Sequence, residues 1–135
     1  MKHVLILSLL AVVSVVLSIL HDRHNKRRGQ RHLQGRPLLT HEQFGEFYDS
    51  PDKANVAAKV REILSRHIAV DISAAIPSDR FILDLKMDAL DSMSTVEFIL
   101  ELEEKFAIKI EDREAQQLVT LDDVIQCVSD KLKKP

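Results

Sequence analysis

The spacing of apolar residues in the second half of the chain most restricts the fold. From Lys53 onward they recur three and four residues apart, first at Val56, Val60, Ile63, Leu64, His67 and Ile68. This spacing places them on one face of an α-helix. Because Pro77 cannot continue a helix, a long loop is predicted over residues 69–90, held to the core by Phe81, Ile82 and Leu85.

Three further helices are predicted after this loop. One runs from Ser92 to Phe106, and a short one fits Arg113–Leu118. Thr120, with Asp123 three residues later, has the form of a capping box that opens a last helix. Residues 108–110 resemble a strand but are too short to form a sheet by themselves. The sequence therefore predicts an all-α, four-helix bundle over residues 53–135.

A separate apolar segment lies at the N-terminus. Val4–Leu20 contains seventeen residues without a charge, about 25 Å of helix, which is at the short end of a bilayer span. Only Lys2 precedes it, whereas five basic residues follow at positions 23–31. This bias predicts a single-pass transmembrane anchor at residues 1–21, with the helical domain on the cytoplasmic side. A cleaved signal peptide and an organelle-targeting segment are the alternatives.

Residues 22–52 are predicted to be a linker, basic at first and then polar. They contain all three glycines and two of the four prolines, which favours a tether. Residues 40–43 have the form of a capping box, and Phe44, Phe47 and Tyr48 follow at helical spacing. A short helix over residues 40–48, weakened by Gly45, is one interpretation, and it would either dock on the helical domain or lie at the membrane surface. A mostly disordered segment is the other interpretation.

Charge and composition exclude several classes of function. The net charge of the whole chain is −2, but from Lys53 onward twelve Lys and Arg face sixteen Asp and Glu. A nucleic-acid-binding domain would have the opposite balance, and an acidic domain favours partners with basic surfaces. The single cysteine, Cys127, excludes an internal disulfide. Neither metal-ligand spacing nor a catalytic motif is present, so the sequence predicts a non-enzyme without a metal site.

Three segments together resemble the acyl carrier protein family. They are Asp91-Ser92-Met93, the upstream Phe81–Leu85, and Leu102–Phe106 at the end of the same predicted helix. The resemblance covers roughly residues 53–132. Two departures stand out: residues 86–90 make the loop before the serine longer than is usual and contain no glycine, and Met93 replaces a leucine, which conserves volume.

This resemblance implies a covalent cofactor and a carrier function. A phosphopantetheinyl transferase would move 4'-phosphopantetheine from coenzyme A onto Ser92, with Asp91 positioning the site. Acyl groups would then be carried as thioesters to acyl-transferring and acyl-elongating enzymes of fatty-acid, lipid or polyketide synthesis at the membrane. A serine at a helix N-terminus also suits a phosphodiester, because unpaired N–H groups and the helix dipole favour an anion there.

The resemblance further implies a docking face for these enzymes. Its members are Met93, Val96, Glu97, Leu100, Glu103 and Glu104. Two alternatives stay open: an unmodified interaction subunit of a membrane complex with the carrier fold, and an aminoacyl carrier for envelope modification.

Overall fold

The structure, a computed structural model, describes residues 2–87 and 92–134, except for the side chains of residues 2, 3, 5, 22, 25–29 and 92. Within these ranges it contains helices and no β-strand. They are α1 (Lys2–Leu33), α2 (His41–Gly45), α3 (Pro51–His67), α4 (Ser92–Phe106), α5 (Asp112–Ala115) and α6 (Leu121–Lys133). One isolated antiparallel bridge joins Arg80 to Thr120. The prediction of an all-helical fold is confirmed for the described part of the chain.

Helix α3 begins two residues before the start indicated by the apolar spacing. The hydroxyl of Ser50 accepts a hydrogen bond from the backbone N–H of Lys53, and Pro51 occupies the first turn. A capping serine and a proline in the first turn both favour a helix start. The buried face of α3 then packs against the other helices through Val56, Ala57, Val60, Ile63 and Leu64.

Helices α4 and α6 form where the sequence predicts them and bring the rest of the core together. The hydroxyl of Thr120 accepts from the backbone N–H of Asp123 at 3.1 Å, and the Asp123 carboxylate accepts from that of Thr120 at 2.9 Å. This capping box fixes the start of α6. Helix α5 is shorter than predicted, ending at Ala115. The core side chains from these elements include Phe98, Leu102, Leu121, Val124, Ile125 and Val128.

Helix α1 contains the apolar segment of the N-terminus. It continues well past Leu20, ending at Leu33, and the described large apolar side chains between residues 4 and 20 are exposed. Across the described residues, no helix combines the length and the apolar character needed to cross a membrane. The structure therefore does not confirm the predicted transmembrane span.

Part of the segment predicted as a linker packs on the helical domain. Leu33, at the end of α1, and Phe44, in α2, are both buried in the common core. Thr40 caps α2 through its predicted capping box, with Gln43 returning the hydrogen bond. The core therefore includes side chains that precede residue 53, and α2 lies within the predicted 40–48 helix but ends at Gly45.

Candidate functional site

Ser92 lies at the start of helix α4, as the sequence predicts. The Ser92 side chain and the whole of Asp91 lie outside the described residues, as do residues 88–90 of the lengthened loop. The first turn of α4 contains no acidic residue. A phosphodiester on Ser92 would therefore lie at the positive end of a fifteen-residue helix. No carboxylate in the first turn of that helix would repel it. The position thus suits the phosphate of a phosphopantetheine arm.

The exposed face of α4 carries an apolar strip next to this start. Met93, Val96 and Leu100 are each more than half exposed, whereas Phe98 and Leu102 face the core. Because spacings of three and four residues align on one side of a helix, the three exposed side chains form a continuous strip. Three of the predicted docking residues are therefore available to a partner protein.

The acidic docking residues differ in how available they are. Glu97 and Glu104 are exposed. The Glu103 carboxylate instead accepts a hydrogen bond from the backbone N–H of Ile110 at 2.7 Å and lies 3.3 Å from Lys109 Nζ. The Ile110 N–H lowers the pKa of Glu103, so this carboxylate stays charged but is engaged by the loop after α4. Glu97 and Glu104 are thus the more accessible negative charges.

Residues 76–87, which we call the attachment loop, lead towards Ser92 and are fastened to the start of α6. The N–H of Phe81 donates to Val119 O at 3.0 Å, and the N–H of Leu121 donates to Asp79 O at 3.2 Å. The N–H of Met87 donates back to Phe81 O at 2.8 Å. Backbone hydrogen bonds therefore hold this long loop against the start of α6.

Asp84 closes a turn inside the attachment loop. Its carboxylate accepts from the backbone N–H of Arg80 at 2.9 Å and from Arg80 Nε at 3.0 Å. The Arg80 side chain is the main cause that lowers the pKa of Asp84 to about 2. Asp84 is therefore ionised at neutral pH, and its charge organises the loop that carries part of the family-like motif.

Arg61 joins residues 33–50, which we call the N-terminal segment, to the helical domain. This residue was not identified in the sequence analysis. Its side chain lies in the buried face of α3 and is 1% exposed. Nη2 donates to Leu39 O at 3.0 Å, to Ile72 O at 3.0 Å and to Ser73 O at 2.7 Å. One signal was available in the sequence: Arg61 is a charged residue among apolar neighbours on the core-facing stripe. A buried arginine needs hydrogen-bond partners, so this position indicates a buried polar contact.

His41, at the start of α2, completes the partners of Arg61. Arg61 Nη1 lies 3.0 Å from His41 Nδ1, a distance at which the neutral imidazole accepts a hydrogen bond. Burial lowers the pKa of His41, and the neighbouring Arg61 charge lowers it further. The neutral ring is therefore the form that fits this contact.

Another polar cluster lies between the end of α1 and the attachment loop. One side-chain atom from each of His32, Asp79 and Asp84 lies within 4.8 Å of the others, a spacing that suits a metal ion. Arg36 Nη1, however, lies 2.7 Å from Asp79, and Arg80 pairs with Asp84. Each carboxylate already has a guanidinium to balance it, so the cluster is best described as an ion-pair network.

Comparison with known proteins agrees with this geometry. A family model described as "Phosphopantetheine attachment site" matches residues 58–128, a range that includes the attachment loop, Ser92 and all of α4. An acyl carrier protein of Thermosynechococcus vestitus is 36% identical over 81 residues, which is 60% of this chain and 96% of that protein.

Two other similar proteins bear the same name. An acyl carrier protein of Helicobacter hepaticus is 41% identical over 66 residues, covering 49% of this chain and 83% of the relative. One from Rubrobacter xylanophilus is 36% identical over 77 residues, covering 57% of this chain and 91% of the relative. The chain therefore belongs to the acyl carrier protein family, whose covalently attached cofactor is 4'-phosphopantetheine.

Proposed function

We propose that Ser92 carries the phosphopantetheine arm and that the protein carries acyl groups without catalysing a reaction itself. The observation that supports this most is the position of Ser92 at the first residue of α4, inside the segment that matches the attachment family. When attached, the arm supplies a thiol that holds acyl groups as thioesters. The backbone N–H groups and dipole of the α4 start stabilise its phosphodiester.

Partner enzymes recognise the exposed face of α4. The apolar strip of Met93, Val96 and Leu100 offers buried contact area, while Glu97 and Glu104 attract basic surfaces. The partners are a phosphopantetheinyl transferase, with Asp91 helping to position the serine, and enzymes that transfer or elongate acyl groups. Their docking surfaces are therefore expected to combine basic residues with an apolar pocket.

The carrier works at a membrane, with its helical domain on the cytoplasmic side. Twelve described large apolar side chains between Val4 and Leu20 are close to half exposed or more, and such a surface usually has an apolar partner. Basic residues follow at positions 23–31, where anionic headgroups would attract them. Attachment to lipid would raise the local concentration of the carrier near membrane-bound acceptors.

Intact-protein mass spectrometry tests the attachment directly. The purified chain is incubated with a broad-specificity phosphopantetheinyl transferase and coenzyme A, and fragmentation locates the added group. We expect one arm on the wild-type chain and on Ser94→Ala, but none on Ser92→Ala. An arm that persists in Ser92→Ala would refute the assigned serine. No arm on any variant would favour the unmodified interaction subunit. An aminoacyl cargo trapped on the arm would favour the aminoacyl carrier.

Vesicle flotation tests the association with lipid. The full chain should float with vesicles that contain anionic phospholipid. Leu10→Asp, inside the apolar segment, should reduce the floating fraction several-fold, because a charge in the hydrocarbon region is costly. Leu38→Asp is the matched control, since Leu38 is an exposed leucine outside that segment. Equal flotation of the two variants would exclude residues 4–20 as the lipid-binding segment.

A further inference from the structure

The end of helix α1 is fixed to the carrier domain at more than one point. Leu33 is buried in the core, and the Gln30 side chain accepts a hydrogen bond from the backbone N–H of Asp71 at 3.2 Å. After the helix, the N–H of Leu39 donates to Ser73 O at 2.8 Å. The direction in which α1 leaves the domain is therefore set by contacts in its last turn and just after it.

A further contact joins the residues just after α1 to the attachment loop. Arg36 Nη1 donates to Asp79 Oδ2 at 2.7 Å, and the same oxygen accepts from the backbone N–H of Ile76 at 2.9 Å. Asp79 is only 3% exposed. A carboxylate this deeply buried is costly unless a cation and hydrogen bonds balance it, so the turn at residues 76–79 depends on Arg36.

His32 extends the contact to the other end of the loop. Its Nε2 lies 3.6 Å from Asp79 Oδ1, 3.7 Å from Asp84 Oδ1 and 3.1 Å from Arg36 Nη2. Asp84 in turn holds Arg80. The set His32, Arg36, Asp79, Arg80 and Asp84, which we call the clasp, thus touches both turns of the attachment loop.

We propose that the clasp positions the attachment loop for modification of Ser92, with Arg36 and Asp79 as its positioning residues. Four residues lie between Met87 and Ser92, so their Cα atoms are at most about 18 Å apart and the loop limits where the serine can lie. Backbone hydrogen bonds to residues 119–121 hold the loop against the start of α6, and the clasp holds it to the residues around the end of α1. The kinetic part of this proposal rests on Ser92 as the attachment site.

Loss of the clasp should affect recognition of the chain more than the transfer step. If the competent loop falls to about a tenth of the population, the apparent affinity of an enzyme that binds it falls about tenfold. Arg36→Ala and Asp79→Asn should therefore raise the KM of the transferase for the full-length apo chain several-fold, with kcat nearly unchanged. Arg31→Ala, which removes an exposed charge one turn earlier, should leave both constants as in the wild type.

Hydrogen exchange of residues 76–87 provides the readout that does not depend on Ser92. Arg36→Ala should speed exchange in this segment at least several-fold, while exchange in α6 and the circular dichroism of the chain stay unchanged. Arg36→Gln keeps a donor for Asp79 and should give a smaller effect, which covers the case in which Arg36→Ala does not fold. Exchange in both Arg36 variants equal to that of Arg31→Ala would overturn the clasp.

The two proposals fail in distinguishable ways. A chain that is not modified at Ser92, but whose attachment loop exchanges faster in Arg36→Ala, would refute the attachment site and keep the clasp. Faster exchange with an unchanged KM would show that the clasp fastens α1 without positioning the serine, which would overturn the proposed role of Arg36 and Asp79.

Discussion

Replacing Arg61 with methionine should release the N-terminal segment from the carrier domain before the domain itself unfolds. Methionine keeps an apolar stem of similar length in the core but removes every hydrogen bond of the guanidinium. The carbonyls of Leu39, Ile72 and Ser73 then lose the donor that joins them. Since Leu39 belongs to the N-terminal segment and the other two to the domain, the change removes the side-chain link between them, while the N–H of Leu39 still donates to Ser73 O.

The size of the effect follows from how buried these carbonyls are. The bond to Ile72 O is buried, and the bonds to Leu39 O and Ser73 O are partly buried. Ile72 O keeps a hydrogen bond from the N–H of Ala75 at 2.9 Å, and Ser73 O keeps one from the N–H of Leu39 at 2.8 Å, so Leu39 O is the carbonyl that depends most on Arg61. A buried acceptor left without a partner costs about 1–3 kcal/mol, and a hydrated one costs much less. Removing a buried charge offsets part of this cost. We therefore expect the free energy of docking of the N-terminal segment to fall by about 1–3 kcal/mol, which is measurable against a typical domain stability.

One intrinsic probe reports this docking separately from the helices. Tyr48 is the only tyrosine, and the chain contains no tryptophan. Its hydroxyl donates to Asp122 at 2.6 Å, which ties the N-terminal segment to α6. Urea unfolding would be followed by Tyr48 fluorescence and by circular dichroism together. The two transitions should coincide in the wild type, and the fluorescence transition should come first in Arg61→Met.

Arg66 on the same helix provides the matched control. It is about half exposed and pairs with Glu62 and Glu101 on the surface, so Arg66→Met should cost at most about 1 kcal/mol. Coincident transitions in Arg61→Met, with a midpoint no lower than that of Arg66→Met, would refute the assignment of Arg61 as the residue that docks the N-terminal segment.

Three further outcomes follow from neighbouring contacts. Gly45→Ala should destabilise the docked segment by roughly 1–3 kcal/mol in the same fluorescence assay, because an added Cβ would lie 2.6 Å from the backbone oxygen of Ala54. Docking should weaken as pH falls below 6.5, because burial and Arg61 lower the pKa of His41 in the docked state, so that the undocked ring binds more protons. The variant His41→Gln should remove this pH dependence of docking. Asp84→Asn should lower the urea midpoint at pH 7 but not near pH 2, because the stabilisation from Asp84 is lost between pH 3.8 and its pKa of about 2.

The helices that the sequence predicts well are those whose signals are local. The start of α6 at Thr120 and the extent of α4 follow from a cap and from apolar spacing within a few residues. Ser92 was identified from the combined motif of a family, since a serine at a helix start is by itself an ordinary cap. Physical reasoning then explains why that position suits a phosphate, but it would not have selected it.

The packed N-terminal segment was not predictable in the same way. Its composition is that of a tether, with single apolar residues such as Leu33 and Phe44 between polar ones, and its partners lie far away in sequence. Gly45 shows the difference clearly. In sequence it weakens a short helix, whereas in the structure its missing side chain lets α2 approach the backbone of α3. A contact of this kind depends on a neighbour that the local sequence does not identify.

The basic residues around the end of α1 have two different roles, attraction to anionic lipid and pairing with the attachment loop. The two roles should respond differently to ionic strength. Arg23 and Arg31 are exposed, whereas Arg36 is committed to the buried Asp79. Salt screens exposed charges strongly, with a Debye length of about 10 Å at 0.1 M and about 3 Å at 1 M, but buried pairs much less. Raising salt should therefore weaken flotation with anionic vesicles and leave exchange in the attachment loop unchanged. If high salt both reduces flotation and speeds exchange in the attachment loop, Arg36 is held by surface electrostatics. The clasp would then contain no ion pair that burial protects from salt.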